Sequence, residues 1–272
     1  MGKNASLSAA YQPLAKVSPP VSEQALQRSR LFERLDSLFK SQVVWISSPA
    51  GSGKTTLVST YLQDRGLPCL WYQVDIGDDD PATFFHYLGK AALSAVPKIR
   101  KAFPSLTPEY LMGLPAFTLR FFEDLCSHVL SPSSKKGRGV SHTDMRCAFV
   151  FDNCQEVPDS SAFHTVVLTG LTRIPSRITV ILISRTPPPP AYARLQANKQ
   201  MGLLGWEDLR LSQEEAGQII CLQTGENPEF QTVEGIYRTT DGWAAGLTLM
   251  VGAARREGFQ DLLPANSTPE EI

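Results

Sequence analysis

The sequence has no apolar run of the about 20 residues that a helix needs to cross a bilayer. Its first residues, Met1-Gly2-Lys3-Asn4-Ala5-Ser6, lead into polar sequence rather than the apolar stretch of an export signal. Both absences predict a cytoplasmic protein with no membrane partner. Cysteine is sparse and unpaired: Cys69, Cys126, Cys147, Cys154 and Cys221 are odd in number and form no C-x-x-C pair. A disulfide framework is thereby disfavoured, and reduced core thiols are expected. His86, His128, His142 and His164 lack metal-ligand spacing with one another or with the cysteines, so no zinc site is assigned. An excess of positive charge is also missing. With net charge −1 and a pI near 6.4, the chain lacks the basic balance of a dedicated DNA-binding domain. The cluster Lys135-Lys136-Gly137-Arg138 lies in a Ser/Gly-rich stretch without interleaved aromatics and reads as a solvated loop.

What is present is the composition of a globular chain: 272 residues, 42% hydrophobic and 19% charged, enough for one large domain or one and a half. The Ser-, Ala- and Pro-rich residues 1–23 read as a flexible arm. Leu31, Phe32, Leu35, Leu38 and Phe39 then recur at helical spacing. The β-rich run Val43-Val44-Trp45-Ile46-Ser47, the stretch from Cys69 to Val74, Cys147-Ala148-Phe149-Val150-Phe151 and Ile178-Thr179-Val180-Ile181-Leu182-Ile183 read as buried parallel strands with helical segments between them. Leu203-Leu204 can add one more. A long helical region is expected from Pro81 to Leu130, broken near Pro97, Pro104 and Pro115, followed by an exposed loop over Ser131 to Ser141. From Ser212 the pattern turns helical behind a capping box, Ser212-Gln213-Glu214-Glu215. The expected organisation is an arm (1–23), an α/β domain with a central parallel sheet flanked by helices (24–206), a helical subdomain (207–258) and a linker (259–272).

Chemistry concentrates after the first strand. Ser48-Pro49-Ala50-Gly51-Ser52-Gly53-Lys54-Thr55 carries a P-loop, with serine in place of the first consensus glycine. Gly51 and Gly53 let backbone amides turn toward phosphate oxygens, and the following helix presents its positive end to the same anion. Lys54 is spaced to bridge the β- and γ-phosphates of a nucleoside triphosphate, ATP above others, and the Thr55 hydroxyl to ligate Mg²⁺. An ordinary glycine-rich turn is the bland alternative; the placement of G-K-T-T between a strand and a helix disfavours it. Phe149-Val150-Phe151-Asp152-Asn153 is an apolar strand ending in an acid, the form of a Walker B strand, whose Asp152 would hold the metal. Arg185 follows a strand, where open α/β sheets bind ligands. It reads equally as a γ-phosphate sensor and as a surface arginine before Thr186-Pro187-Pro188-Pro189-Pro190.

Ser-Pro-Ala-Gly-Ser-Gly-Lys-Thr-Thr (48–56), Phe-Asp-Asn (151–153), Ile-Ser-Arg-Thr-Pro-Pro (183–188), Asp-Leu-Arg-Leu-Ser-Gln-Glu-Glu-Ala (208–216) and Gly-Trp-Ala-Ala-Gly-Leu (242–247) occur in order. Over residues 14 to 255 this resembles the MalT-type branch of the STAND ATPases, nucleotide-dependent switches that carry a sensor superhelix and a LuxR-type helix-turn-helix beyond the ATPase. The resemblance implies binding of ATP or ADP by Pro49 to Gly53 together with Lys54, Thr55 and Thr56. It also implies a metal on Thr55 and Asp152, and Arg185 on the γ-phosphate. It places the helix with Arg28 and Arg30 beside the adenine and Gly242-Trp243-Ala244 near the nucleotide, although Trp243 also reads as a core aromatic. An inducer and DNA would act through C-terminal modules, and nucleotide-dependent self-association is implied.

One departure bears on turnover. The family pattern has a second acid where this chain has Asn153, and an amide can orient water but cannot accept its proton. Glu156 reads as a solvated loop residue, and Asp75, Asp78, Asp79 and Asp80 as a solvated turn and helix start. Three functions remain distinct: a regulatory switch with slow or absent hydrolysis, a turnover-competent P-loop ATPase, and a nucleotide-stabilised interaction module without hydrolysis.

Overall fold

The computed structural model describes residues 14–20, 25–96, 102–130 and 146–257. The expected loop over 131–141, with Lys135, Lys136 and Arg138, the expected linker over 259–272 and most of the expected arm lie outside the described residues.

Five strands, β1 Val43–Ser47, β2 Cys69–Gln73, β3 Cys147–Asp152, β4 Ile178–Ser184 and β5 Met201–Leu204, form one parallel sheet in the order β2-β3-β4-β1-β5. Leu203-Leu204 is thus an edge strand, as the sequence allowed. The strands are apolar almost throughout because both faces are covered. Alternate residues divide between two cores. Val43, Trp45, Phe149, Phe151, Val180 and Leu182 pack on one face, under α3 Pro81–Ala95, α4 Leu114–Val129 and α5 Ala162–Leu171. Val44, Ile46, Ala148, Val150, Ile181 and Ile183 pack on the other, under α1 Ser29–Leu38 and α2 Lys54–Asp64.

Helix starts follow local chemistry. Asp80 accepts the amide of Thr83 ahead of Pro81, and Ser161 accepts that of Phe163, each satisfying a donor that the first turn leaves unpaired. The expected helical region from Pro81 to Leu130 is two helices. The chain from 102 to 107 is irregular, and Pro115 opens α4 rather than breaking it, since the first turn needs no amide from proline.

Two short helices, α6 Ala193–Ala197 and α7 Trp206–Leu209, flank β5 on the way to a helical subdomain of α8 Gln213–Thr224, α9 Phe230–Thr240 and α10 Ala244–Glu257. Its own core is Leu211, Ala216, Ile220, Val233, Ile236, Leu247 and Val251. The capping box forms as read: Ser212 Oγ accepts the Glu215 amide, and Glu215 accepts the Ser212 amide.

Two expectations need correction. The described part of the arm is docked, with a 3-10 turn at Ala15–Val17 and Val17 buried in the first core. Nor is Asp78 solvated. It is completely buried and accepts from the Tyr72 hydroxyl (2.5 Å), the Asp75 amide (2.8 Å) and Lys16 Nζ (2.9 Å). Lys16 also lies over the Tyr72 and Tyr87 rings. The physical cause is the need of a buried carboxylate for a counter-charge, which the sequence supplies 62 residues away. Lys16→Ala is expected to lower stability by about 2 kcal/mol, read from urea melts, because Asp78 keeps its two neutral donors but loses its cation. An unchanged midpoint would show that the docked turn contributes nothing.

Candidate functional site

The loop from Ser48 to Gly53 joins the C-terminal end of β1 to the first turn of α2. Gly51 and Gly53 have φ of +72° and +85°, a region that residues with a Cβ enter only at a cost. Lys54 is 8% exposed and curls back into the loop. Its ammonium donates to the carbonyls of Ser48 (2.6 Å) and Pro49 (2.9 Å), with Ser52 Oγ at 3.4 Å. The hydroxyls of Ser48 and Ser52 bond to each other across the loop. That pair places a side-chain contact at the position where the consensus has glycine.

The end of β3 comes to the same place. Asp152, 4% exposed, accepts from the Thr55 hydroxyl at 3.0 and 3.2 Å and from the Asn153 amide at 2.9 Å. Burial drives both charged groups toward neutrality: the Lys54 ammonium is held below its ordinary pKa, with the Asp152 carboxylate opposing and Arg185 adding to the fall. The Asp152 carboxyl is held above its own ordinary value, with the hydrogen bonds and Lys54 opposing. A polyanion and a hard cation entering together would satisfy both groups, since each gains a charge of opposite sign. Thr55 and Asp152 offer oxygen donors only, the set that Mg²⁺ prefers.

β4 lies between β1 and β3, so Arg185, just past its end, stands between the loop and Asp152. The residue is exposed, and its backbone amide donates to Gln155 Oε1 at 3.0 Å. Gln155 also donates to the Asn153 side-chain oxygen (3.3 Å) and to Glu156 (3.0 Å). A residue passed over in the sequence therefore ties the turn after β3 to the end of β4. Asn153 itself has φ +65°, a left-handed conformation that asparagine tolerates better than most residues. Glu156 is exposed, as expected.

The helical subdomain meets this site at two places. Arg28, 7% exposed, donates to the carbonyls of Leu209 (3.0 Å) and Arg210 (2.9 Å) and to Glu215 (2.9 Å). Arg30 reaches Arg210 O (3.1 Å) and Glu215 (3.3 Å). These arginines are a strut between the two parts of the chain, a role the sequence did not signal. Trp243 is the second contact. It is 37% exposed rather than a core aromatic, and its indole donates to the Ala50 carbonyl at 2.8 Å. Between the two contacts lies a cavity of about 230 Å³ lined by Leu26, Arg28, Gly53, Thr56, Leu57 and Gln223 among others.

A parallel sheet with this strand order, a glycine-rich loop after β1 and an acid at the end of β3 define a P-loop NTPase fold with a small helical subdomain. Solved structures agree on the fold. The Walker-type ATPase of Pyrococcus abyssi matches with a TM-score of 0.55 at 13% identity over 90% of this chain and 72% of that one. The replication initiator DnaA, bound to AMPPCP and single-stranded DNA, matches with a TM-score of 0.50 at 14% identity over 89% and 64%. In sequence the chain is a homologue of the HTH-type transcriptional regulators MalT. It is 26% identical over 244 residues to MalT of Yersinia enterocolitica and 24% identical over 250 residues to that of Vibrio cholerae. The match covers 89% and 90% of this chain and 25% of each relative, so the chain spans about a quarter of their length. No protein-family model matches it.

Proposed function

We propose that the chain is the ATP- or ADP-binding switch module of a MalT-like, STAND-type regulator. The phosphates rest on the amides of residues 50–56 beside Pro49, Lys54 bridges them, and Arg185 meets the γ-phosphate. Thr55 and Asp152 would hold Mg²⁺, which would draw charge off the phosphates. The base occupies the cavity between the loop and the subdomain, whose Leu26 and Leu57 suit an aromatic ring. The observation that carries this reading is the hydrogen bond from Thr55 to Asp152, 97 residues apart, beside a Lys54 ammonium that feels the Asp152 charge. A switch needs the bound phosphate to bias two arrangements, and the subdomain's contact with the loop supplies an element to bias. Inducer and DNA then act through parts of the protein corresponding to the remaining three-quarters of its relatives, and self-association follows the nucleotide state.

Hydrolysis is slow in this reading because Asn153 cannot deprotonate water and Glu156 points its hydrogen bonding at Gln155. Titration with a fluorescent ATP analogue is expected to show saturable binding that Mg²⁺ strengthens, and multiple-turnover assays to show little product. Asn153→Asp is expected to raise turnover about 100-fold, the lower end of what a positioned base contributes, since aspartate also tolerates a left-handed backbone. Absence of saturable binding would remove the nucleotide reading. Wild-type turnover equal to that of the variant would remove the assignment of slow hydrolysis to Asn153 and favour a turnover-competent ATPase.

A further inference from the structure

The subdomain grips the phosphate loop by its backbone. Ala50 O accepts from the Trp243 indole at 2.8 Å, and Gly51 O accepts from the Ala245 amide at 2.9 Å. The peptide bonds are trans, and in a trans peptide the carbonyl and the amide of one unit point in opposite directions. Fixing the carbonyls of residues 50 and 51 toward the subdomain therefore turns the amides of Gly51 and Ser52 away from it. Those are loop amides, the kind of donor that a phosphate-binding loop presents to its anion.

Glycine makes the grip possible on both sides of the indole. A Cβ on Gly51 would come within 2.5 Å of the Ala245 Cβ and 3.0 Å of the Trp243 Nε1, and a Cβ on Gly246 within 2.5 Å of the indole ring. The ring thus stands in a slot between two glycines, one in the loop and one in the first turn of α10. Ala245 is the second residue of α10, so its amide has no partner within the helix and is free to bind the loop.

We propose that Trp243 and Ala245 are positioning residues of the phosphate loop, through which the helical subdomain sets the direction of the Gly51 and Ser52 amides. Nucleotide affinity and subdomain docking then share one coupling energy, and each strengthens the other by the same factor. This inference rests on the phosphate-loop reading above. It differs from a sensor that touches the nucleotide, because the signal passes through main-chain peptide units whatever base or phosphate number is bound.

The test compares wild type with Trp243→Phe and Ala245→Pro by titration with fluorescent ADP and ATP analogues, at a temperature where circular dichroism shows each protein folded. Trp243→Phe keeps a ring in the slot and removes only the indole donor at a partly exposed site. Proline is tolerated in the first turn of a helix; it removes the amide donor and puts a ring carbon in its place against Gly51 O. Each variant is expected to bind both nucleotides about 3- to 10-fold more weakly, the worth of one hydrogen bond. In nucleotide-free protein, the N–H residual dipolar couplings of Gly51 and Ser52, which report amide direction rather than ring currents, are expected to change in Trp243→Phe, which a merely structural role would not produce. Wild-type binding without any loss in the two folded variants overturns the proposal. Failure of wild type to bind either nucleotide would instead remove the reading on which it rests.

Discussion

Lys54→Ala is expected to weaken nucleotide binding by about 10- to 100-fold, the range of one to two charge-assisted hydrogen bonds to phosphate. The ammonium is buried in the loop, bonded to two carbonyls, and held below its usual pKa by burial. A phosphate oxygen that replaces a carbonyl exchanges a dipole for a full charge, so the gain on binding is larger than for an exposed lysine. The variant loses that gain entirely. Its fold is expected to persist, because the lysine contacts only its own loop and the strands beneath are held by their own ladders. Isothermal titration against wild type reads the effect. Equal affinities in the two proteins would sink the phosphate assignment, while a collapsed circular-dichroism spectrum would show that the lysine is structural.

Arg28→Ala carries the largest expected effect on stability, a loss of about 3 kcal/mol, as for breaking a buried ion pair. For a chain of this size that corresponds to a fall in melting temperature of roughly 6 to 12 °C. The guanidinium satisfies two carbonyls and Glu215 where little water reaches, and Arg30, half exposed, replaces only part of this. The pH dependence gives a second signature. Burial pushes the Glu215 carboxyl up, but the hydrogen bonds from Arg28 and the Ser212 amide, with the charges of Arg28 and Arg30, outweigh it and leave the group below its ordinary 4.5. A carboxyl depressed in the folded state contributes stability that is present above the unfolded value and is lost as the pH falls through the folded one. The gap between wild type and variant is therefore expected to be widest near neutrality and to narrow below pH 4.5. A gap that stays constant through that range would mean that Glu215 is not what Arg28 stabilises.

The elements that local pattern specifies were legible. β1, β3 and β4 are near-continuous apolar runs, because a strand covered on both faces has no polar side to show. The capping box at Ser212 formed because both partners lie within one turn. The sequence places Thr55 and Asp152 on one metal, but does not show their direct hydrogen bond. Its distance depends on β4 lying between β1 and β3, an order that no local pattern encodes.

What escaped the sequence depends on partners far along the chain. Asp78 sits in an acidic run that reads as solvated, and the lysine that neutralises it belongs to a segment that reads as an arm. Arg28 and Glu215 are 187 residues apart, and each is unremarkable alone. Trp243 reads in the sequence as near the nucleotide or as a core aromatic, and its bond to the loop, 193 residues upstream, forms only when the subdomain folds back. Gln155 becomes notable only because β4 ends beside it.

The sequence by itself determined the strand and helix pattern, the glycine-rich loop and the acid that follows β3, since each depends on residue type at short spacing. Only the tertiary structure decided that the loop is held on its outer face by an indole and a helix amide, that a buried arginine struts the subdomain, and that the arm is docked. Those contacts join polar groups far apart along the chain, and burial strengthens the arginine strut and the docked arm in a way that no linear spacing records.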